Sequence, residues 1–177
     1  MSVDLLAMYR QATQEVFRLE AQQRYTVKAE LAQLEAFREG RPLPSDPAVN
    51  TSMEIIRTAT AAGVRLHRVH VVELPLSLYV RYELAAYAEN IAAGEQVGVA
   101  ARSWHRDLAA LDEDFVLFDP GTDHQAVVWI RYDAEGRLTS RDYSDDPTDV
   151  TAACHHRDIA ATHAISLHEF SALAETG

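Results

Sequence analysis

The sequence predicts a single α/β domain: a mixed sheet flanked by helices, with a C-terminal antiparallel meander. Three observations predict it. With 177 residues and 47% hydrophobic content, the chain can bury one core of ordinary size. Between residues 53 and 100, helix and strand patterns alternate as in an α/β unit. Beyond Phe115, short strand patterns are separated by turn signals, as in a meander. The expected organisation is an N-terminal helical region at 1–50, a sheet core at 51–146 and C-terminal helices at 147–177.

The elements follow in order. Leu5, Met8, Ala12 and Val16 form a helical stripe from Asp4 to about Phe17, and Phe17 to Tyr25 fits either strand or helix. Leu31, Leu34 and Phe37 predict a helix over Ala29–Glu39 that Gly40 caps. Three prolines make Arg41–Pro47 a loop. Met53–Ala62 reads as a helix capped by Thr51 or Ser52. Val64–Val72 reads as a strand with apolar residues in both phases, hence one covered on both faces. Ser77 to about Ala92 is a helix ended by Gly94, and Gln96–Ala100 a short strand. Phe115–Phe118, Ala126–Tyr132 and Arg137–Tyr143 are the meander strands. Asp119-Pro120-Gly121-Thr122 has the residues of a type II turn, and Asp133-Ala134-Glu135-Gly136 closes a short hairpin. Asp146 as N-cap and Pro147 at the first helical position open a helix to about His163.

Composition removes several chemistries. The chain has one lysine, Lys28, and fifteen arginines among its 16 basic residues. Lys28 follows no Gly-rich loop, so there is no P-loop, and no lysine sits in a pyridoxal or His-x-Lys context. No serine occupies a G-x-S-x-G elbow. The lone Cys154 excludes an internal disulfide and reads as a small buried residue of a helix. A net charge of −11 disfavours direct nucleic-acid binding and favours a basic protein partner. No apolar run reaches the roughly 18 residues of a membrane span, and no signal peptide is read at the N-terminus, so a cytoplasmic protein is expected.

The eight histidines do not make a metal motif by spacing. His155 and His156 diverge on a helix, His156 and His163 lie about two turns apart, and His67 and His70 point to opposite faces of a strand. A site would have to be assembled from distant segments, for example His124 with His168; no metal and no cofactor are expected. Asp112, Glu113 and Asp114 read as a solvated loop, and Asp142, Asp145 and Asp146 as capping and surface acids. Ligands of α/β sheets bind outside the carboxyl ends of strands. That places a candidate ligand or partner site at Glu73, Ser77, Tyr79, Arg81, Glu83 and Asp119, with Tyr79, Glu83 and Asn90 near one helix face and Arg81 off it. The structural alternative is that Arg68, Arg81 and Glu83 pair to hold the helix on the sheet. No catalytic residue is assigned.

Six ordered segments carry a resemblance: Phe17-Arg-Leu-Glu20 with Tyr25, Gly63-Val-Arg-Leu-His-Arg-Val-His-Val-Val72, Ser77-x-Tyr79-x-Arg-Tyr-Glu83, Asn90-x-x-Ala-Gly-Glu95, Asp114-Phe-Val-Leu-Phe-Asp119 and Tyr132-Asp-x-x-Gly136. From about Phe17 to Phe170 the chain resembles an actinobacterial family of domain-of-unknown-function proteins, often encoded beside helix-turn-helix regulators of the Xre type. The order of elements is also similar to non-catalytic phospholipase D-like domains. In active members a His and a Lys lie near the Phe118-Asp119 stretch; here Pro120 follows and the lysine is missing, so the resemblance implies the fold without the reaction. It also implies a homodimer, since such halves commonly pair. The expected function is a non-catalytic regulatory or partner-binding protein acting with a basic helix-turn-helix protein. The rival is a small-molecule sensor or enzyme that uses the acidic, Arg and Tyr cluster.

Overall fold

The structure is a computed structural model and describes residues 3–175; the outermost residues of the expected 1–50 and 147–177 regions lie outside them. Among the described residues, six α-helices surround a seven-stranded mixed sheet of order β6-β5-β4-β1-β2-β3-β7. The strands are β1 (Glu15–Glu20), β2 (Arg65–Val72), β3 (Gln96–Ala101), β4 (Asp114–Phe118), β5 (Ala126–Tyr132), β6 (Leu138–Ser144) and β7 (Ile165–Ser166). β1, β2 and β3 are parallel; β4, β5 and β6 form the expected antiparallel meander, and β7 pairs antiparallel with β3. The helices are α1 (Leu5–Gln11), α2 (Leu31–Arg38), α3 (Pro47–Ala61), α4 (Leu78–Ala92), α5 (Pro147–His163) and α6 (Leu167–Glu175).

The main correction falls on the N-terminal region, which is not wholly helical. α1 stops at Gln11, where Ala12 turns extended at φ −59° and ψ 139°, and β1 enters the middle of the sheet. The carboxylate of Asp119 fixes that change of direction. It accepts the backbone N–H groups of Thr13 (2.8 Å), Gln14 (2.8 Å) and Glu15 (3.0 Å), three donors that a helix would have spent internally. α3 also begins earlier than expected. Asp46 caps it by accepting from Ala48 N–H and Pro47 takes its first position, while Thr51 and Ser52 sit inside and bond back to the carbonyls of Pro47 and Ala48. α2 is preceded by a 3-10 turn at Lys28–Glu30. The two-residue β7 has no pattern long enough to read from sequence.

Two turns match their expected chemistry. Gly121 lies at φ 83° between Asp119 and Thr122, whose N–H reaches the Asp119 carbonyl at 3.2 Å. Gly136 lies at φ 77° and closes the β5–β6 hairpin. A β-carbon at Gly136 would stand 2.4 Å from the Arg24 carbonyl oxygen, so the hairpin docks there backbone to backbone.

The two sheet faces differ in kind. On the α5 face, Phe17, Leu19, Val69, Val71, Phe115, Leu117 and Val127 pack on Val150, Ala153 and Ala160 of α5, an apolar core throughout. The opposite face is apolar only at its ends. Val16, Leu66, Val116 and Phe118 meet α1 and α3 at one end, and Val97, Val99 and Ala101 meet Val80 and Tyr87 of α4 with α6 beyond. Between those patches lie Arg18, Glu20, Arg68, His70 and Asp114.

Candidate functional site

Alternation along two adjacent strands builds the site. In β1, Arg18 and Glu20 continue the phase of Val16; in β2, Arg68 and His70 continue that of Leu66. The parallel register sets Arg18 beside Arg68 and Glu20 beside His70. Asp114, first residue of β4, brings a further carboxylate to this face. It is buried rather than solvated, accepting from Ala21 N–H at 2.8 Å and from the Tyr25 hydroxyl at 2.6 Å. α4 closes the layer from above with Tyr79, Tyr82, Glu83, Tyr87 and Asn90, all buried.

Within the layer the charges alternate. Arg68 donates to both oxygens of Glu20 (3.1 and 3.0 Å) and to Glu95 at 3.2 and 3.4 Å; Arg18 reaches Glu20 at 2.8 Å. Asn90 donates to Glu95 at 2.6 Å, and the Arg68 guanidinium stands 5.0 Å over the Tyr87 ring. Burial by itself would raise the Glu20 carboxyl, but the two guanidiniums win and hold it far below the usual carboxylate range. For Arg68, Glu20 and Glu95 likewise outweigh burial and keep the guanidinium charged.

Where burial outweighs the opposite charges, the groups move the other way. Burial, then repulsion from Glu20 and Glu30, pushes Glu83 well above the carboxylate range. Burial pushes Asp114 up to about 7 against its two donors, and it lowers His70 from the usual histidine value. His70 Nε2 lies 3.0 Å from the Gln22 carbonyl, which can only accept, and that fixes the proton on Nε2. His70 Nδ1 lies 3.0 Å from the Tyr87 hydroxyl, which donates a very short bond to Glu20. Tyr87 thus has one proton and two acceptors, Glu20 and neutral His70.

A cavity of about 330 Å³ opens over this layer, at the small end of the range of ligand pockets. Arg18, Glu20, Arg68 and Glu83 line its floor and wall, Tyr25, Tyr79, Tyr82 and Tyr132 supply aromatic surface, and Glu30, Leu43 and Asp46 stand towards the rim. Tyr79 donates to Glu30 at 2.5 Å and Tyr82 to Gln33 at 2.7 Å, so α2 is held to α4 by hydroxyls. Two residues that line the cavity each keep a buried polar atom with no hydrogen-bond partner: Glu83 its Oε2 and Arg18 its Nε. His70 Nδ1 stands 3.8 Å from Glu83 Oε2, beyond hydrogen-bond reach.

The sequence-derived residues divide accordingly. Tyr79 and Glu83 enter the cavity, and Asn90 supports it. Arg81 points to solvent, as its helix phase required, so it does not pair with Glu83; Arg68 pairs with Glu20 and Glu95 instead. Glu73 is exposed and reaches Arg102 only at 3.7 Å. Ser77 caps α4 by accepting from Val80 N–H and donates to the Gln23 carbonyl. At the carboxyl edge of the parallel strands the backbone is bridged, and a cleft of about 470 Å³ lined by Gln23, Tyr25, Ser77 and Tyr79 lies beside the bridge. Gln23 donates its side-chain amide to the carbonyls of Ala21 and Val71 and accepts from Glu73 N–H, and Arg102 closes over the Ala21 carbonyl at 3.2 Å.

Asp119 does not join the cluster. β4 runs antiparallel to β1, so Asp119, which follows its last residue, lies at the other end of the sheet. A cleft of about 510 Å³ passes there, but the Asp119 carboxylate is committed to the Thr13, Gln14 and Glu15 donors, which hold it below its usual range despite burial. Cys154 is half-buried on α5, and burial raises its thiol. Arg18, Glu20, Tyr25, His70, Tyr87, Glu95 and Asp114 were not picked out as site residues from sequence, and Arg68 only as a pairing partner of the helix. The available signal was charge repeating every second residue through two strands otherwise covered on both faces.

Fold and cavity together define a single-domain α/β protein with an ion-lined chamber on one face of its sheet. The chain belongs to the family described as domain of unknown function DUF6879, whose model matches residues 4–172. No curated protein matches the chain. Among the described residues, no helix is long and apolar enough to cross a membrane.

Proposed function

We propose that the protein is a small-molecule-binding module with a regulatory role, and that its ligand sits over Arg18, Glu83 and the tyrosines of α4. The observation that carries this reading is that two residues lining one cavity, Glu83 and Arg18, each hold a buried polar atom without a partner, Oε2 and Nε. Buried polar atoms without partners are costly, and apolar replacement of buried ionic groups is often neutral or stabilising by about 1–4 kcal/mol. A ligand that donates to Glu83 and accepts from Arg18 would satisfy both, and the aromatic walls suit a planar or amine-bearing molecule.

The test is a thermal-shift and calorimetric screen of tag-free protein with free amino acids, nucleobases and polyamines. A ligand at 100 times its Kd adds about 2.7 kcal/mol of stability. We expect at least one class to stabilise the wild type and to lose its effect in Glu83→Gln and Arg18→Met. If none of the three classes stabilises the wild type, or if both variants respond as the wild type does, the reading fails.

The regulatory partnership with a basic helix-turn-helix protein belongs to the same proposal, supported by the net charge of −11 and by the gene neighbourhood that the sequence resemblance implies. Failure to co-purify with such a protein at micromolar concentration, with and without DNA, counts against it. The phospholipase D-like likeness and the homodimer it implies rest on element order, and sedimentation of the purified chain decides the dimer.

A further inference from the structure

We infer that His105, Asp107 and His163 form a binding site for a divalent transition metal, separate from the cavity. Three features carry this. First, the three residues each present one donor atom, and all three donors lie within 4.8 Å of one another. His105 Nδ1 and Asp107 Oδ2 are 3.5 Å apart, about the donor spacing around a tetrahedral ion with bonds near 2.0–2.1 Å, and an ion on Nδ1 displaces the Asp107 backbone N–H that this nitrogen accepts at 3.3 Å. The other distances close to that spacing by at most about 1.4 Å, within reach of side-chain torsions.

Second, the two imidazoles are in contact, with centroids 4.1 Å apart and planes at 17°; parallel rings do not aim their in-plane lone pairs at one point, so an ion turns one ring out of the stack. They come from segments 58 positions apart, one entering the 3-10 turn Arg106–Ala110, the other ending α5. Third, the backbone beneath them is anchored. Arg102 donates to the carbonyls of Leu108 and Leu111, and Leu108 and Leu111 are fully buried in the core shared with α5. The segment bearing His105 and Asp107 is therefore held against the helix bearing His163. Two imidazoles and one carboxylate select zinc, cobalt or nickel over calcium or magnesium, and leave a position for water. Spacing arguments miss this set because they pair histidines within one element; the site spans two.

Bound metal would clasp the Arg102–Leu111 segment to the end of α5. The experiment titrates tag-free, chelator-treated protein with Zn²⁺ by calorimetry and with Co²⁺ by its visible absorption, and follows Tm. We expect one ion per chain, a Tm that rises with metal and reverses with chelator, and an affinity loss of more than about tenfold in both His105→Ala and His163→Ala. His155→Ala and His168→Ala, which alter histidines on the same helix and on α6, should bind as the wild type does. All four positions are exposed or half-buried, and circular dichroism checks that each variant is folded. No binding, or binding that persists in His105→Ala and His163→Ala, would overturn the inference. So would binding lost in the two control variants instead.

Discussion

Asp114 shows how a single side chain registers the polar layer. Burial raises its carboxyl to about 7, while the Tyr25 hydroxyl and Ala21 N–H pull the other way. In the unfolded chain the group titrates near the ordinary aspartate value, so the native state holds the extra proton between roughly pH 4 and 7. Its contribution to stability is therefore present at low pH and declines as pH rises through that window, by at most about 4 kcal/mol. His70 works in the opposite sense: its lowered value means stability is lost as pH falls below the ordinary histidine range. Comparing the two proteins isolates the aspartate. Urea denaturation of wild type and Asp114→Asn across pH 4–8 should show the wild type losing stability relative to the variant as pH rises. A constant difference would mean that Asp114 is ionised throughout.

Among the elements, the β5–β6 hairpin is the one most tightly bound to a precise backbone approach. Thr26 donates its N–H to the Gly136 carbonyl at 2.8 Å and its hydroxyl to the Glu135 carbonyl at 2.6 Å, which presses segment 24–26 onto the turn. Gly136→Ala should cost about 2–4 kcal/mol by chemical denaturation, because the new methyl meets a carbonyl and the residue keeps φ 77°. The neighbouring Asp133→Ala, which removes an exposed turn acceptor, serves as the milder comparison. Elements with strong local chemistry were legible in the sequence. The Asp146–Pro147 cap, the Pro120–Gly121 turn, the Gly136 hairpin and the period of α4 fall where expected. β1 was not, because Arg18 and Glu20 give its inner face the look of a solvent face and the apolar stripe of α1 runs on through Val16. The cavity was half legible. Helix phase brought Tyr79, Glu83 and Asn90 together, but nothing local says that Arg68 and His70 share a buried face with Arg18 and Glu20, since that follows from strand register. Asp119 was misplaced because the direction of β4 relative to β1 is a property of the whole sheet.

Over the whole molecule, stability should be graded across the sheet. β1, β2 and β4 are covered on both faces, whereas β6 lies at an edge with no fully buried residue and with Leu138 and Tyr143 in solvent. Arg141 and Asp142 on that edge discourage pairing with another chain. Hydrogen exchange should find the amides of 65–72 opening only with global unfolding, and those of 138–144 exchanging through a smaller local opening. Equal protection in both would show the sheet to be one cooperative unit. The Gln23 bridge adds a constraint. By binding the carbonyls of Ala21 and Val71 and the N–H of Glu73, the Gln23 amide serves as one more rung beyond the last residues of β1 and β2. Because the Gln23 carbonyl also accepts from the Ser77 hydroxyl, that rung ties the ends of β1 and β2 to the chain entering α4, and fraying of either strand also loosens the start of that helix.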